Sequence, residues 1–208
     1  MNNKETIREY NLPDAVLLTD FTTDYRCMIW EPDFTAIILG QSNGLEDSVY
    51  TDRAETDGVP VFKRPSGGET VLLSPHTIAI SILKRGDALR SPRLYFNYYN
   101  EKIMAALESL GVKNLSSKGI SDICLNNKKI LGSAIYRNKD IVLYHAVLNR
   151  AESTDTMERY LKHPLREPDY RMGRTHGDFV TSLNAMGYSL PATKIKESLQ
   201  YYLRVFQS

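Results

Sequence analysis

Two segments of this 208-residue chain gather residue types that could act on an anion or on an activated carbonyl. The first, Lys63-Arg64-Pro65-Ser66-Gly67-Gly68-Glu69-Thr70, places two cations, a hydroxyl and two glycines in a turn between two apolar runs. Such a turn exposes backbone N–H groups and lets a ligand approach the main chain closely. A plain hairpin turn with solvated charges has the same composition, so both uses stay open at this point. The second segment, Gly119 to Ala134, carries Asp122 and Cys124 at alternate positions of one apolar run. Across Asn126-Asn127, Lys129, Leu131 and Ser133 alternate on the next. Strand alternation puts each set on one face and predicts that Asp122 and Lys129 converge across a hairpin. A fixed ammonium there could stabilise charge that develops in acyl or phosphoryl transfer, although a lysine beside a polar turn is more often a solvated edge residue. The phosphate loop GxxxxGK[ST] and the dinucleotide loop GxGxxG are both absent from the sequence.

The elements that must position these segments are legible from hydrophobic period. Strands are predicted at Cys27–Trp30, Thr35–Leu39, Val59–Phe62, Glu69–Leu73 and Thr77–Leu83. A helix is predicted over Leu45–Thr56, and a stronger one after Ser91 and Pro92, where Phe96, Tyr99, Ile103, Ala106, Leu107 and Leu110 recur at helical spacing and Gly111 stops it. Ser121–Leu125, Lys128–Tyr136 and Ile141–Leu148, joined by polar turns, read as an antiparallel meander. Helices follow at Asp155–Leu161, after Thr175 with Asp178 three positions on, and at Pro191–Phe206. Strands first and helices late predict an α+β fold, a mixed but largely antiparallel sheet flanked by helices. The polar stretch Lys162 to Arg174 is the one long loop, and such loops are often functional.

Composition excludes several classes. Lys plus Arg number 26 against 25 Asp plus Glu, so no overall basic field exists to hold nucleic acid. The start is polar and the longest apolar stretches are too short to span a bilayer, so no membrane association and a cytoplasmic location are expected. Cys27 and Cys124 lack any zinc spacing and read as free thiols, and no intrinsic metal site is expected. His76, His163 and His176 also lack ligand spacing and read as surface or capping residues. Nothing marks a domain boundary, so residues 1–208 are expected to form a single domain with no C-terminal accessory domain.

Taken together, Lys63 to Val71, Ser121 to Ala134 and Tyr144-His145-Ala146-Val147-Leu148 resemble, in order and spacing, three motifs of the lipoate-protein ligase A family. That family belongs to the wider biotin/lipoate ligase and octanoyltransferase group. Trp30-Glu31-Pro32 and Ile38-Leu39-Gly40-Gln41-Ser42 are similar to the family's introductory stretches, so the resemblance runs roughly from Arg26 to Leu148. It implies an acyl slot beside a nucleotide, with ATP, Mg²⁺ and lipoate or octanoate as ligands. It further implies that Lys129 contacts the acyl carbonyl and the phosphate of an acyl-adenylate and that Asp122 lies near nucleotide and metal. Arg64, Ser66, Gly67, Gly68, Gly132, Ser133, Ala134 and His145 would bind the substrate. The implied acceptors are the lipoyl domains of 2-oxoacid dehydrogenases or the glycine cleavage H protein, with a separate accessory protein as a further partner.

The departures are specific. Glu69 stands at the third glycine of the family turn, Leu73-Ser74 replaces a His-Asp pair, and Lys63 replaces an arginine, which loses bidentate geometry. Three alternatives remain: an octanoyl or lipoyl transferase working through a cysteine thioester, a partner-dependent non-catalytic lipoyl-binding homologue, and a biotin ligase. No cysteine follows Lys129, and Cys124 lies within a strand run, which disfavours the first; the biotin family's Gly-Arg-Gly-Arg turn is absent, which disfavours the last.

Overall fold

The structure, a computed structural model, describes residues 7–19, 23–86 and 91–204. Its larger sheet has six strands in the order β2 (Tyr25–Trp30), β6 (Thr77–Arg85), β10 (Ile141–Asn149), β9 (Lys128–Arg137), β8 (Asp122–Leu125) and β7 (Leu115–Lys118). Every neighbouring pair in it is antiparallel. The smaller sheet runs β1 (Arg8–Glu9), β4 (Val61–Lys63), β3 (Ala36–Leu39) and β5 (Val71–Leu73), with β4 parallel to both neighbours and β5 antiparallel to β3. The α+β class with an antiparallel-rich sheet is therefore as expected, although the strands divide between two sheets.

Alternation on the larger sheet sorts the two faces. Ile78, Ile80, Ile82, Tyr144, Ala146 and Leu148 pack with Tyr95, Tyr99 and Ile103 of α3 (Pro92–Ser109) and with Ile195 and Leu199 of α6 (Ala192–Leu203) in the main core. Residues at the intervening positions, among them Ser81, His145 and Val147, face the smaller sheet. That sheet sends Ala36, Ile38 and Phe62 toward them and turns Ile37, Leu39 and Val61 to a separate core with Val49, Ala54 and Met157. The space between the two sheets is where a ligand can enter. Among the described residues no helix is long and apolar enough to cross a membrane.

Several boundaries differ from the sequence expectation. The helix expected over Leu45–Thr56 is two short ones, α1 (Leu45–Ser48) and α2 (Thr51–Thr56). Between them fully buried Val49 adopts extended backbone and bridges to Leu161 just past α4 (Thr154–Tyr160), so tertiary pairing outweighs helix continuation. Ser91 occupies the N-cap of α3 without a side-chain hydrogen bond, while Pro92 and Gly111 (φ 90°) begin and end it as expected. Asn126 (φ 47°) and Asn127 (φ 67°) turn the hairpin through left-handed conformations that asparagine tolerates. Thr175 caps α5 (His176–Phe179) through the Asp178 N–H. The pattern missed β1, β7 and the 3₁₀ turn Pro13–Leu18, all short or polar. Phe206, expected on the last helix, lies outside the described residues.

Candidate active site

Lys129 reaches its position through a bulge. Ile123 pairs with Leu131, but Cys124 pairs with Lys129, so β9 contributes one extra residue, Ile130. Strict alternation would put Lys129 on the face of Leu131, which is in the core under α3. The bulge instead returns Lys129 to the face of Asp122 and Gly132, which corrects the expected grouping of Lys129 with Leu131 and Ser133. The expected convergence with the acid does occur: Lys129 Nζ lies 2.8 Å from Asp122 Oδ1. Ser133 belongs to the opposite face, its hydroxyl donating to Ser121 O at 2.7 Å. Gly132 has no side chain where one would collide, since a Cβ there would stand 2.8 Å from both Cε and Nζ of Lys129.

The long loop completes this corner. Tyr170 OH donates to Asp122 Oδ2 at 2.8 Å, and burial together with that carboxylate keeps its phenol protonated, far above its ordinary pKa. Asp122 thus uses one oxygen on an ammonium and the other on a phenol, while its side chain is only 7% exposed. Arg171, 4% exposed, stacks over Phe179 at 4.8 Å and donates from Nε to Arg174 O, leaving Nη2 buried without a partner. His176 lines the same cavity rather than the surface, and burial with neighbouring cations pulls its pKa down to about 4, so it is neutral. The sequence marks this loop as a candidate but gives no functional signal at Tyr170 or Arg171.

Opposite β9 sits the Gly67-Gly68 turn. Its shape is set from inside by Arg64, which is buried. Nε donates to Ser66 Oγ at 3.0 Å, Nη1 to Ile38 O at 3.1 Å, and Nη2 to Gly67 O at 2.6 Å and Glu69 O at 2.8 Å. Burial lowers the Arg64 pKa to about 10, which leaves it cationic near neutral pH. Gly68, at φ 82°, needs glycine, and a Cβ on it would stand 3.5 Å from that of Ala134. Arg64 and Gly68 line the cavity, whereas Ser66 is fully buried and, like Gly67, supports the turn from behind. The Glu69 carboxylate accepts from Asn43 Nδ2 at 3.3 Å. Ser74, at one of the departures, closes the tight turn between β5 and β6 by bonding with Thr77 and the His76 N–H.

These walls enclose a cavity of about 530 Å³. Lys129, Asp122 and Gly132 meet on one side and Ala134 lies under the turn. His145 stands further across the sheet, beside Asp14 and 9% exposed. Neither cysteine is poised to be a thiolate. Burial pushes Cys27 up to about 12 and Cys124 above its usual value, and Cys124 Sγ donates weakly to Tyr170 OH. No group of three or more His, Cys, Asp or Glu among the described residues could hold a metal.

Fold and site together define an α+β domain built around an internal slot, with a lysine–aspartate pair on one wall and a glycine turn on the other. The lipoyl protein ligase A/B catalytic domain family matches residues 12–204, and the chain belongs to that family. It is 28% identical over 129 residues to lipoate-protein ligase LplJ of Bacillus subtilis, covering 61% of this chain and 38% of that relative. It is 25% identical over 140 residues to octanoyltransferase LipM of Clostridioides difficile, covering 58% of this chain and 51% of that one. The chain therefore spans about half or less of the length of these relatives. Among solved structures, lipoate-protein ligase A bound with ATP shares the fold at a TM-score of 0.76 and 18% identity, over 92% of this chain and 78% of that one.

Proposed function

We propose that this chain activates a medium-chain carboxylic acid of the lipoate or octanoate class with ATP and passes the acyl group from acyl-AMP to a lysine of a lipoyl carrier domain. The observation that carries this reading is Lys129: its ammonium is held by Asp122 over Gly132, on the wall of a cavity of about 530 Å³. When a carboxylate attacks the α-phosphate, negative charge grows on the attacking oxygens and on phosphorus, and a preorganised ammonium stabilises both. Arg171 Nη2 supplies a second cation with unused hydrogen-bonding capacity. Both Asp122 oxygens are already engaged, one by Lys129 and the other by Tyr170, so an Mg²⁺ bound with the nucleotide would be held chiefly by substrate phosphates, with Asp122 contributing only a remaining lone pair. When bound, the ion would neutralise phosphate charge.

The fully protonated cysteines favour this route over transfer through a cysteine thioester, the chemistry that the likeness to an octanoyltransferase would otherwise suggest. Lipoate-dependent ATP–pyrophosphate exchange tests the proposal. Exchange by the purified chain supports it, and acyl transfer from acyl carrier protein without ATP overturns it. We further propose that a second component supplied in trans speeds adenylation, since the chain is also similar, at 25% identity over 138 residues, to lipoate-protein ligase A subunit 1 of Thermoplasma acidophilum, which its name gives as one subunit of an enzyme. Full turnover by the isolated chain would remove that part.

A further inference from the structure

From Lys129 the cavity runs across the larger sheet. The ammonium lies over Gly132; Ala134 is two residues further along β9, and His145 is directly opposite Ala134 on β10. At about 3.4 Å per residue and about 5 Å between paired strands, His145 is roughly 8 Å from the ammonium, the reach of a medium-length acyl chain. The wall there is polar. Asp14, 2% exposed, receives the hydroxyls of Tyr10 and Ser81 on its two carboxylate oxygens, and His145 Nδ1 stands 3.4 Å from Oδ2. His145 Nε2 is buried without a partner, and so is the indole Nε1 of Trp30, which lines the same cavity.

With Nδ1 turned toward the Asp14 carboxylate, Nε2 is the imidazole nitrogen left for a ligand, while the indole N–H can only donate. Buried groups of this kind are nearly always satisfied, and a methyl or dithiolane end would leave both unpaired. Building on the acyl-slot reading above, we propose that the preferred acid carries a hydrogen-bonding group at its far end, a hydroxyl or amide, which His145 and Trp30 recognise. Asp14 is the positioning residue that fixes the imidazole.

Calorimetric titration of the full chain with octanoate, lipoate and 8-hydroxyoctanoate, without nucleotide, separates the slot from the chemistry. The hydroxy acid is expected to bind about tenfold or more tightly than either of the others, the worth of a well-made buried hydrogen bond. His145→Leu should still bind octanoate but lose the preference, and Asp14→Asn should narrow it. Where melting shows that either variant is unfolded, Trp30→Phe, which keeps the ring and removes the donor, should narrow the preference as well. Octanoate or lipoate binding as tightly as the hydroxy acid, or a preference that survives these substitutions, overturns the inference and leaves the acyl-slot reading standing. Failure to bind any of the three acids overturns both.

Discussion

Substituting Gly132 by alanine tests whether the ammonium works by position. The added Cβ would stand 2.8 Å from Lys129 Cε and Nζ, where carbon contacts are comfortable at about 3.5 to 4.0 Å. Relief requires the end of the lysine to move on the order of 1 Å, which also strains its 2.8 Å contact with Asp122. Misplacement on that scale can cost about 10²-fold in rate. The backbone at Gly132 is ordinary strand, outside the positive-φ region, so alanine should cost the fold little and could add a few tenths of a kcal/mol by restricting the unfolded chain. Pyrophosphate exchange should fall by about two orders of magnitude while the melting temperature stays level or rises. Wild-type exchange in Gly132→Ala would refute the geometric argument, and a fall that tracks unfolding would reassign the glycine to packing.

Three further outcomes follow. Lys129→Ala should lower exchange by about 10²–10³-fold and also the melting temperature, because it leaves buried Asp122 with Tyr170 alone; Lys128→Ala, which loses only its bond to Gly177 O, should exchange near the wild-type rate. Equal losses in the two would show that the bulge does not select between them. The double variant Cys27→Ser with Cys124→Ser should retain most transfer at a stability cost of about 1–2 kcal/mol, and abolished transfer in the folded variant would restore the thioester route. His176 has a pKa of about 4 in the fold against 6.5 unfolded, so the unfolded chain takes up its proton first as pH falls. Stability should then drop between pH 6.5 and 4, and His176→Asn should flatten that part of a pH–melting profile.

The sequence made local period and turn chemistry legible, so the Asn126-Asn127 hairpin, α3 and the approach of Asp122 to Lys129 could be expected from it. What it hid depends on tertiary structure. The bulge at Ile130 has no signature in residue type, since isoleucine suits a regular strand equally well, yet it decides which face Lys129 occupies. Arg64 reads from sequence as a free cation for an anionic ligand. In the fold its five donors are largely spent on carbonyls of its own turn and of β3, a use that only the closed loop creates. Asp14, after Pro13, looks like ordinary helix-start chemistry, and only its burial beside Ser81 and His145 gives it a place in the site.

These features share one cause. The larger sheet rests its α3 and α6 face on a continuous apolar core, so stability is concentrated on one side. The other face packs Leu83, Ile141 and Leu143 against Leu17 in a smaller cluster, and it is there that Asp122, Ser81, His145 and Asn149 also occur, each within a strand whose alternate residues are anchored in apolar contacts. A polar group on such a face is held rigidly by a backbone that it does not have to stabilise, which is the condition for a preorganised site. Substitutions on the slot face should therefore change exchange or ligand preference with small shifts in melting, except where they strand a buried charge. A truncation at Ile80 or Tyr144 on the core face should cost about 2–5 kcal/mol and leave the folded fraction's ligand preference unchanged.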